Sequence, residues 1–245
     1  MARRLDAFLA RAGCGTRSEV TKLIRAGRVT VDGEPCKKGK LPIDGQRVEL
    51  DGAEVLAMPD ELHLLMNKPV GHAVSRDPAE APLFVELLPD AYQHLSLQPA
   101  GRLDRDSSGL LIVTTDGALI QRLTHPKRVH PKRYRITFTG ELPADAAAHF
   151  EQGIVLDDDP RPTRPAELQV QGPGQATAIL HEGRYHQVRR MFAALGCEVT
   201  GLHRDRIGTL SLPEALAVGD CRALTDDELS ALLSVVSVDD ADAGA

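Results

Sequence analysis

GRLDRDSSGLLIVTTDG, residues 101–117, is the stretch on which the reading of this chain turns. The Ser-Ser-Gly step at 107–109 marks a turn, and the unbroken apolar run Leu110 to Val113 reads as a strand buried on both faces. Two carboxylates, Asp104 and Asp106, therefore stand beside Arg102 and Arg105 at the mouth of a core element. A carboxylate placed there loses hydration and needs a cation nearby. The residues alone leave two readings open: an aspartate that caps a turn with Arg102 or Arg105 as partner, or a charged group held for chemistry.

Around this stretch the pattern is mixed. Strand-like runs occur at LHLLMN, RYRITF, AELQV, ATAIL and TLSL, and helical patterns at LFVELL, ALIQRL, ADAAAHFEQG and HQVRRMFAAL, with Pro and Gly at most joints. The class is α+β. In RYRITF, alternation puts Tyr134, Ile136 and Phe138 on one face and Arg133, Arg135 and Thr137 on the other, so Tyr134 points with the apolar set. In EGRYHQVRRMFAALG a helix from about Tyr185 to Leu195 would bury Val188, Met191, Phe192 and Leu195. Arg190 would then lie opposite that stripe, toward solvent or a ligand, while Arg189 flanks it within inward reach. Two ordinary surface arginines are the plainer alternative.

The first fifty residues differ from the rest. Leu5, Phe8 and Leu9 recur at helical spacing, Gly13 and Gly15 end that helix, and Thr16 with Glu19 reads as a capping box for a second one carrying Val20, Leu23 and Ile24. Arg28 to Val31 alternates like a strand and turns at Asp32-Gly33. This segment has eleven Lys and Arg against six Asp and Glu, whereas residues 226–245 hold six acidic residues and no basic one. The overall charge of -6 thus conceals a basic module joined to an acidic body. Arg17, Lys22, Arg25, Arg28, Lys37 and Lys38 are its candidate phosphate contacts, although a charge run is as often simply a solvated face.

Composition narrows the remaining choices. At 245 residues the chain is long enough for a small domain plus a medium one. Cys14, Cys36, Cys197 and Cys221 show neither disulfide nor zinc spacing, and no apolar run approaches the roughly 18 residues of a membrane span. A reduced, cytoplasmic protein without a membrane segment is expected. Walker, G-x-G-x-x-G, H-E-x-x-H and G-x-S-x-G motifs are lacking, which leaves a site built from Asp, Arg and Tyr, with no cofactor and no metal.

Residues 3 to about 48 closely resemble the small RNA-binding domain of ribosomal protein S-four. Beyond them, NKPVG at 67–71, GRLDRDSSGL, KRYRITFTG, GRYHQVRRMFAALG and LHRDRIG resemble, in order, the pseudouridine synthases, and among them the bacterial RsuA family that modifies small-subunit rRNA. The resemblance implies an S-four-like RNA-binding domain at 1–55, a linker at 56–61, a mixed, mostly antiparallel-sheet catalytic domain at 62–236 and an acidic tail at 237–245. It also implies an isomerase that converts one uridine of 16S rRNA, free or in a partly assembled subunit, to pseudouridine, acting as a monomer. By the same likeness Asp104 is the catalytic aspartate, Tyr134 the tyrosine that faces the base, and Arg189 the cation that pairs with Asp104. Because a stacked base cannot react, the target must be extruded, and Arg102, Arg105 and Arg190 are candidates to hold the flanking backbone. Ser107 stands where the family more often has Thr and keeps the hydroxyl. A paralogue acting on 23S rRNA and a non-catalytic rRNA-binding assembly factor are the alternatives.

Overall fold

The computed structural model describes residues 3–125, 128–157 and 159–234, so the acidic tail at 237–245 lies outside the described residues. The chain divides into two units, Met1–Leu62 with Pro89–Leu97, and His63–Leu88 with Gln98–Ala245.

In the first unit, α1 (Leu5–Arg11) and α2 (Arg17–Arg25) precede a four-stranded sheet of β1 (Val29–Val31), β2 (Glu34–Pro35), β3 (Val48–Leu50) and β4 (Ala53–Glu54), in the order β2-β1-β3-β4. Leu5, Phe8 and Leu9 of α1 pack against Val20 and Ile24 of α2 and against Val29, Ile43 and Val48. The capping box of α2 is present: the Glu19 amide donates to Thr16 Oγ1 at 3.3 Å and the Thr16 amide to Glu19 Oε2 at 2.7 Å. The hairpin turns at Asp32 (φ 52°) and Gly33 (φ 84°), two left-handed residues that suit the twist of a two-residue hairpin loop. The stretch expected as a linker is tied into this unit, since Arg3 donates to the Met58 carbonyl and Arg11 to those of Pro59 and Asp60. A second segment, Pro89–Leu97, joins it from the middle of the following sequence; there His94 Nε2 lies 2.6 Å from the Arg11 carbonyl.

The second unit is a mixed sheet. Its strands are β5 (His63–Lys68), β6 (Ser107–Thr114), β7 (Lys132–Thr139), β8 (Glu167–Gly172), β9 (Gln175–Leu180), β10 (Glu198–Ile207) and β11 (Cys221–Ala223), in the order β8-β9-β7-β10-β6-β5-β11. Every neighbouring pair is antiparallel except β10 and β6, which run parallel with Leu202, His203 and Arg204 opposite Ser107, Ser108 and Gly109. Helices α3 (Gly117–Thr124), α4 (Ala146–Gln152), α5 (Gln187–Ala194) and α6 (Asp226–Leu233) cover it. Leu110 to Val113 are fully buried, as an apolar run without alternation predicts.

Two apolar clusters form within this unit. One gathers Ile136, Phe138, Phe150, Leu180, Met191 and Phe192; the Phe192 ring lies 5.2 Å from Phe138 and 5.8 Å edge-on from Phe150. The other holds Leu65, Leu110, Ile112, Leu119 and Leu232. Tyr134 packs on the first cluster, on the face its alternation assigned.

Three expectations change. LFVELL gives only a short 3-10 turn at Phe84–Leu87, and TLSL gives a two-residue strand, Leu210–Ser211. The ten-residue β10, which lies between β7 and β6 in the sheet, went unrecognised because His203, Arg204, Asp205 and Arg206 interrupt its apolar pattern. Among the described residues, no helix is long and apolar enough to cross a membrane.

Candidate active site

Between the two apolar clusters lies a cavity of about 520 Å³, within the size range of small-ligand sites. Leu180, Val188 and Leu202 of the first cluster and Leu123 and Ile207 of the second contribute to its walls, and Asp104, Tyr134 and Arg102 face it.

The loop that carries Asp104 is held at several points. Its own turn closes through the Ser107 amide on the Asp104 carbonyl, at 3.1 Å. NKPVG supplies the next ties: Lys68 Nζ donates to the carbonyls of Ser107 and Pro69 at 2.8 Å, the Gly71 amide donates to the Arg105 carbonyl at 2.7 Å, and Arg105 Nε returns to the Gly71 carbonyl at 3.0 Å. Arg204 completes the frame by donating to the Leu110 and Arg102 carbonyls. A side chain mounted on such a loop is aimed before any ligand arrives.

Lys68 and Arg204 stand on either side of Gly109, which is the register partner of both. Cross-strand partners share a face, so the two cations project to the same side with the glycine between them. Lys68 is completely buried and Arg204 is 2% exposed. Burial lowers the Lys68 ammonium to about 8, against the opposing pull of the Asp104 and Asp106 carboxylates. Lys132, which also lines the cavity, is lowered to about 8 by desolvation and by Arg204.

The Lys68 shift has a measurable consequence. Between about pH 8 and 10.5 the unfolded chain holds a proton on Lys68 that the native state has lost, so this group makes stability rise with pH across that window. Wild type should therefore gain unfolding free energy relative to Lys68→Met between pH 8 and 10.5, by up to about 3 kcal/mol at 1.36 kcal/mol per pKa unit. Denaturant titrations of both proteins across that range check it, and parallel pH profiles would refute it.

The pairing expected of Arg189 is not the one observed. Its guanidinium meets Asp106 Oδ2 at 2.8 Å and donates to the carbonyls of Val199 and Asp106, while Asp104 Oδ1 faces His186 Nε2 at 3.5 Å. The cause is local. His186 adopts a left-handed conformation (φ 48°), so α5 begins at Gln187 rather than near Tyr185, and the imidazole is turned toward Asp104. Arg189 fixes the same loop from its other end.

Arg105 and Arg190 also differ from expectation. Arg105 is engaged by the Gly71 and Ala81 carbonyls, and Arg190 is half-buried and donates to the Tyr185 carbonyl. Arg102 is exposed on the cavity rim, and Arg128 and Arg164 join it there. Among the described residues, none of these three side chains makes a hydrogen bond or ion pair. The other lining cations, Lys132, Arg184 and Arg204, bond internally. Among the described residues Asp104 and Glu182 are the only acidic residues in the lining, so the mouth is basic although the chain carries -6.

In the first unit Arg17, Lys22 and Arg25 lie exposed on α2, with Lys37 and Lys38 exposed beyond β2 and the Lys37 stem against Gly27. Arg28 is exposed but chelated by Asp51, which offsets its charge.

Sequence reasoning gave no role to Lys68, Lys132, His186 or Arg204. The available signals were the NKPVG and HQV motifs, and the two-residue step from Leu202 to Arg204 that puts a cation in phase with a buried leucine. Together, a carboxylate, an imidazole and a phenol facing one basic, nucleotide-sized cavity can stabilise or attack an electron-poor carbon of a polyanionic substrate.

Comparison with known proteins agrees with this chemistry. Residues 62–194 match the family described as RNA pseudouridylate synthase, and residues 3–48 match the S4 domain. The ribosomal small subunit pseudouridine synthase A of Vibrio cholerae is 40% identical across 94% of this chain and 99% of its own length. Its Escherichia coli counterpart is 37% identical across 94% and 100%. A crystal structure of a pseudouridylate synthase superposes with a TM-score of 0.67 at 36% identity, covering 94% of this chain and 99% of that one.

Proposed function

This chain belongs to the RNA pseudouridylate synthase family, with an S4 domain ahead of the catalytic region, and on that premise we propose that it isomerises a uridine of 16S small-subunit rRNA to pseudouridine. The observation that carries the reading is Asp104, mounted on a loop pinned by Lys68, Gly71, Arg189 and Arg204 and facing a cavity of nucleotide size. The relatives reported above act, by name, on the small ribosomal subunit, so neither a large-subunit target nor a non-catalytic assembly role is favoured.

The reaction breaks the bond between N1 of the uracil and the ribose carbon, turns the freed base and rejoins it through C5. The proton leaving C5 is balanced by one gained at N1, so nothing is consumed and no cofactor is called for. Asp104 is assigned the catalytic role: its carboxylate lies against the ribose, where positive charge develops. Tyr134, seated on the apolar cluster, presents its ring to the extruded base. Arg189 is a positioning residue that holds the loop through Asp106. Lys68 and Arg204 add fixed positive charge, and His186 contacts the carboxylate directly.

Arg17, Lys22, Arg25, Lys37 and Lys38 are assigned to the rRNA backbone, with Arg28 secondary because Asp51 already occupies it. We also assign free rRNA or a partly assembled subunit as substrate, cytoplasmic action and a monomeric state, by extension from the rRNA substrate. The test is to incubate the purified protein with unmodified small- and large-subunit rRNA, free and in partly assembled particles, and to map pseudouridine chemically. Product in small-subunit rRNA is expected; product confined to large-subunit rRNA overturns the proposal.

Rim arginines should show in the salt dependence of binding. Each phosphate contact on a single strand contributes about 0.7 to the slope of log affinity against log salt. Replacing Arg102, Arg128 and Arg164 together by alanine should make that slope shallower by about 2. An unchanged slope would remove all three from the RNA path.

A further inference from the structure

Tyr185 lines the cavity yet is 67% exposed. One face of its ring is covered, because the His186 imidazole stacks on it with centroids 3.9 Å apart and planes 16° apart. The opposite face is open to solvent.

The stack is displayed rigidly. On its N-terminal side Arg184 donates to Asp159 and to the carbonyls of Arg161 and Pro162, and the Arg184 amide donates to Gln187 Oε1 at 2.8 Å across the two aromatic residues. On its C-terminal side α5 begins at once, and Arg190 donates to the Tyr185 carbonyl at 3.1 Å. Left-handed backbone at a non-glycine residue persists where its surroundings over-determine it, and such strain gathers at sites that must present a group before ligand arrives. Here the strain at His186 sets one ring against Asp104 and the next ring outward.

We propose that the open face of Tyr185 is a stacking platform for an unpaired nucleobase next to the target uridine, which makes Tyr185 a positioning residue for the RNA strand. This rests on reading the cavity as the uridine site. The occupant follows from the surroundings. A bare aromatic face takes a planar ring without regard to base identity, and the unpaired Arg102, Arg128 and Arg164 on the same rim suit the phosphates attached to such rings. A ring stacked there would lie about 8 Å from the imidazole, twice the observed 3.9 Å spacing. The reacting nucleotide must instead place its ribose against Asp104, which is 3.5 Å from that imidazole. The stacked base therefore belongs to a neighbour of the target.

The test uses the whole protein and 16S rRNA in which the modified uridine has first been mapped, together with two ligated versions that carry an abasic ribose on one side or the other of it. Tyr185→Ala should weaken binding of intact RNA by roughly five- to 150-fold, the range for losing one base–aromatic stack, and Tyr185→Phe should hold wild-type affinity. One abasic RNA should weaken the wild-type protein by the same factor, with no further loss in Tyr185→Ala. The deficit should appear in KM with kcat within a few fold, since a contact made equally in ground and transition states does not alter the chemical step. Unchanged affinity in Tyr185→Ala, or losses that multiply on both abasic RNAs, would overturn the proposal while leaving the uridine site intact. A wild-type protein that modifies no rRNA would instead remove the premise.

Discussion

Asp104→Asn forms no detectable pseudouridine, a loss on the order of 10⁴-fold or more, and binds rRNA within a few fold of wild type. This is the expected result, for three reasons. The substitution keeps the side chain's shape and removes only its charge and nucleophilic oxygen. The loop is held through the backbones of Asp104, Arg105, Asp106 and Ser107 and by Lys68 and Arg204, so it does not depend on the Asp104 carboxylate, whose one close partner among the described residues is His186 at 3.5 Å. RNA affinity is carried by cations on phosphates, and loss of one negative charge cannot weaken it much. Single-turnover product formation, measured beside equilibrium RNA binding and thermal melting, separates the outcomes. Collapse of binding or of melting temperature would mark Asp104 as structural, and retained product would exclude it from the chemistry.

Gly109→Ala should be severely damaging to both stability and activity. A Cβ at this position would lie 2.2 Å from the Arg204 carbonyl oxygen and 2.9 Å from its carbonyl carbon and amide nitrogen, and the backbone holds φ at +108°. Backbone cannot step aside as a flexible side chain can, so β6 and β10 must separate at their parallel pairing. Arg204 then loses its hold on Leu110 and Arg102, and its spacing from Lys68 across Gly109 is disturbed. A loss of about 4 kcal/mol or more is expected, or roughly 10 °C in melting temperature for a chain of this size, together with loss of activity. Gly117→Ala is the control. Nothing lies within 4 Å of its added Cβ at the start of α3, and it should be neutral or stabilise by up to about 1 kcal/mol. Wild-type melting in Gly109→Ala would show that the two strands are less tightly apposed than described.

Much of this architecture was legible because it depends on local rules. A capping box closes over four residues, and Thr16 and Glu19 form one where the spacing predicts it. Leu110 to Val113, apolar without alternation, could only be a strand covered on both faces. Alternation in RYRITF put Tyr134 with Ile136 and Phe138, where it is found. The family resemblance, resting on five ordered motifs, identified the catalytic class and singled out Asp104.

Other features needed the folded chain. Which side chain faces Asp104 depends on the left-handed turn at His186, and no periodicity encodes a single backbone angle of that kind. β10 hides because its buried charges are satisfied by carbonyls and guanidinium groups from distant segments. Arg204 finds Leu110 and Arg102, and Asp205 finds Arg133, so in sequence they look like surface residues. The same logic released Arg128 and Arg164 to the rim, tied Arg105 to the Gly71 and Ala81 carbonyls and took Arg190 partly inward.

The sequence by itself determined most of the helices and the strand buried on both faces, because each rests on side-chain chemistry acting over a few neighbours, while the family resemblance, not local chemistry, pointed to Asp104. Tertiary structure alone decided the partners of every charge near that aspartate. A buried charge is stable only where remote backbone and side-chain groups solvate it, and those groups meet only after folding.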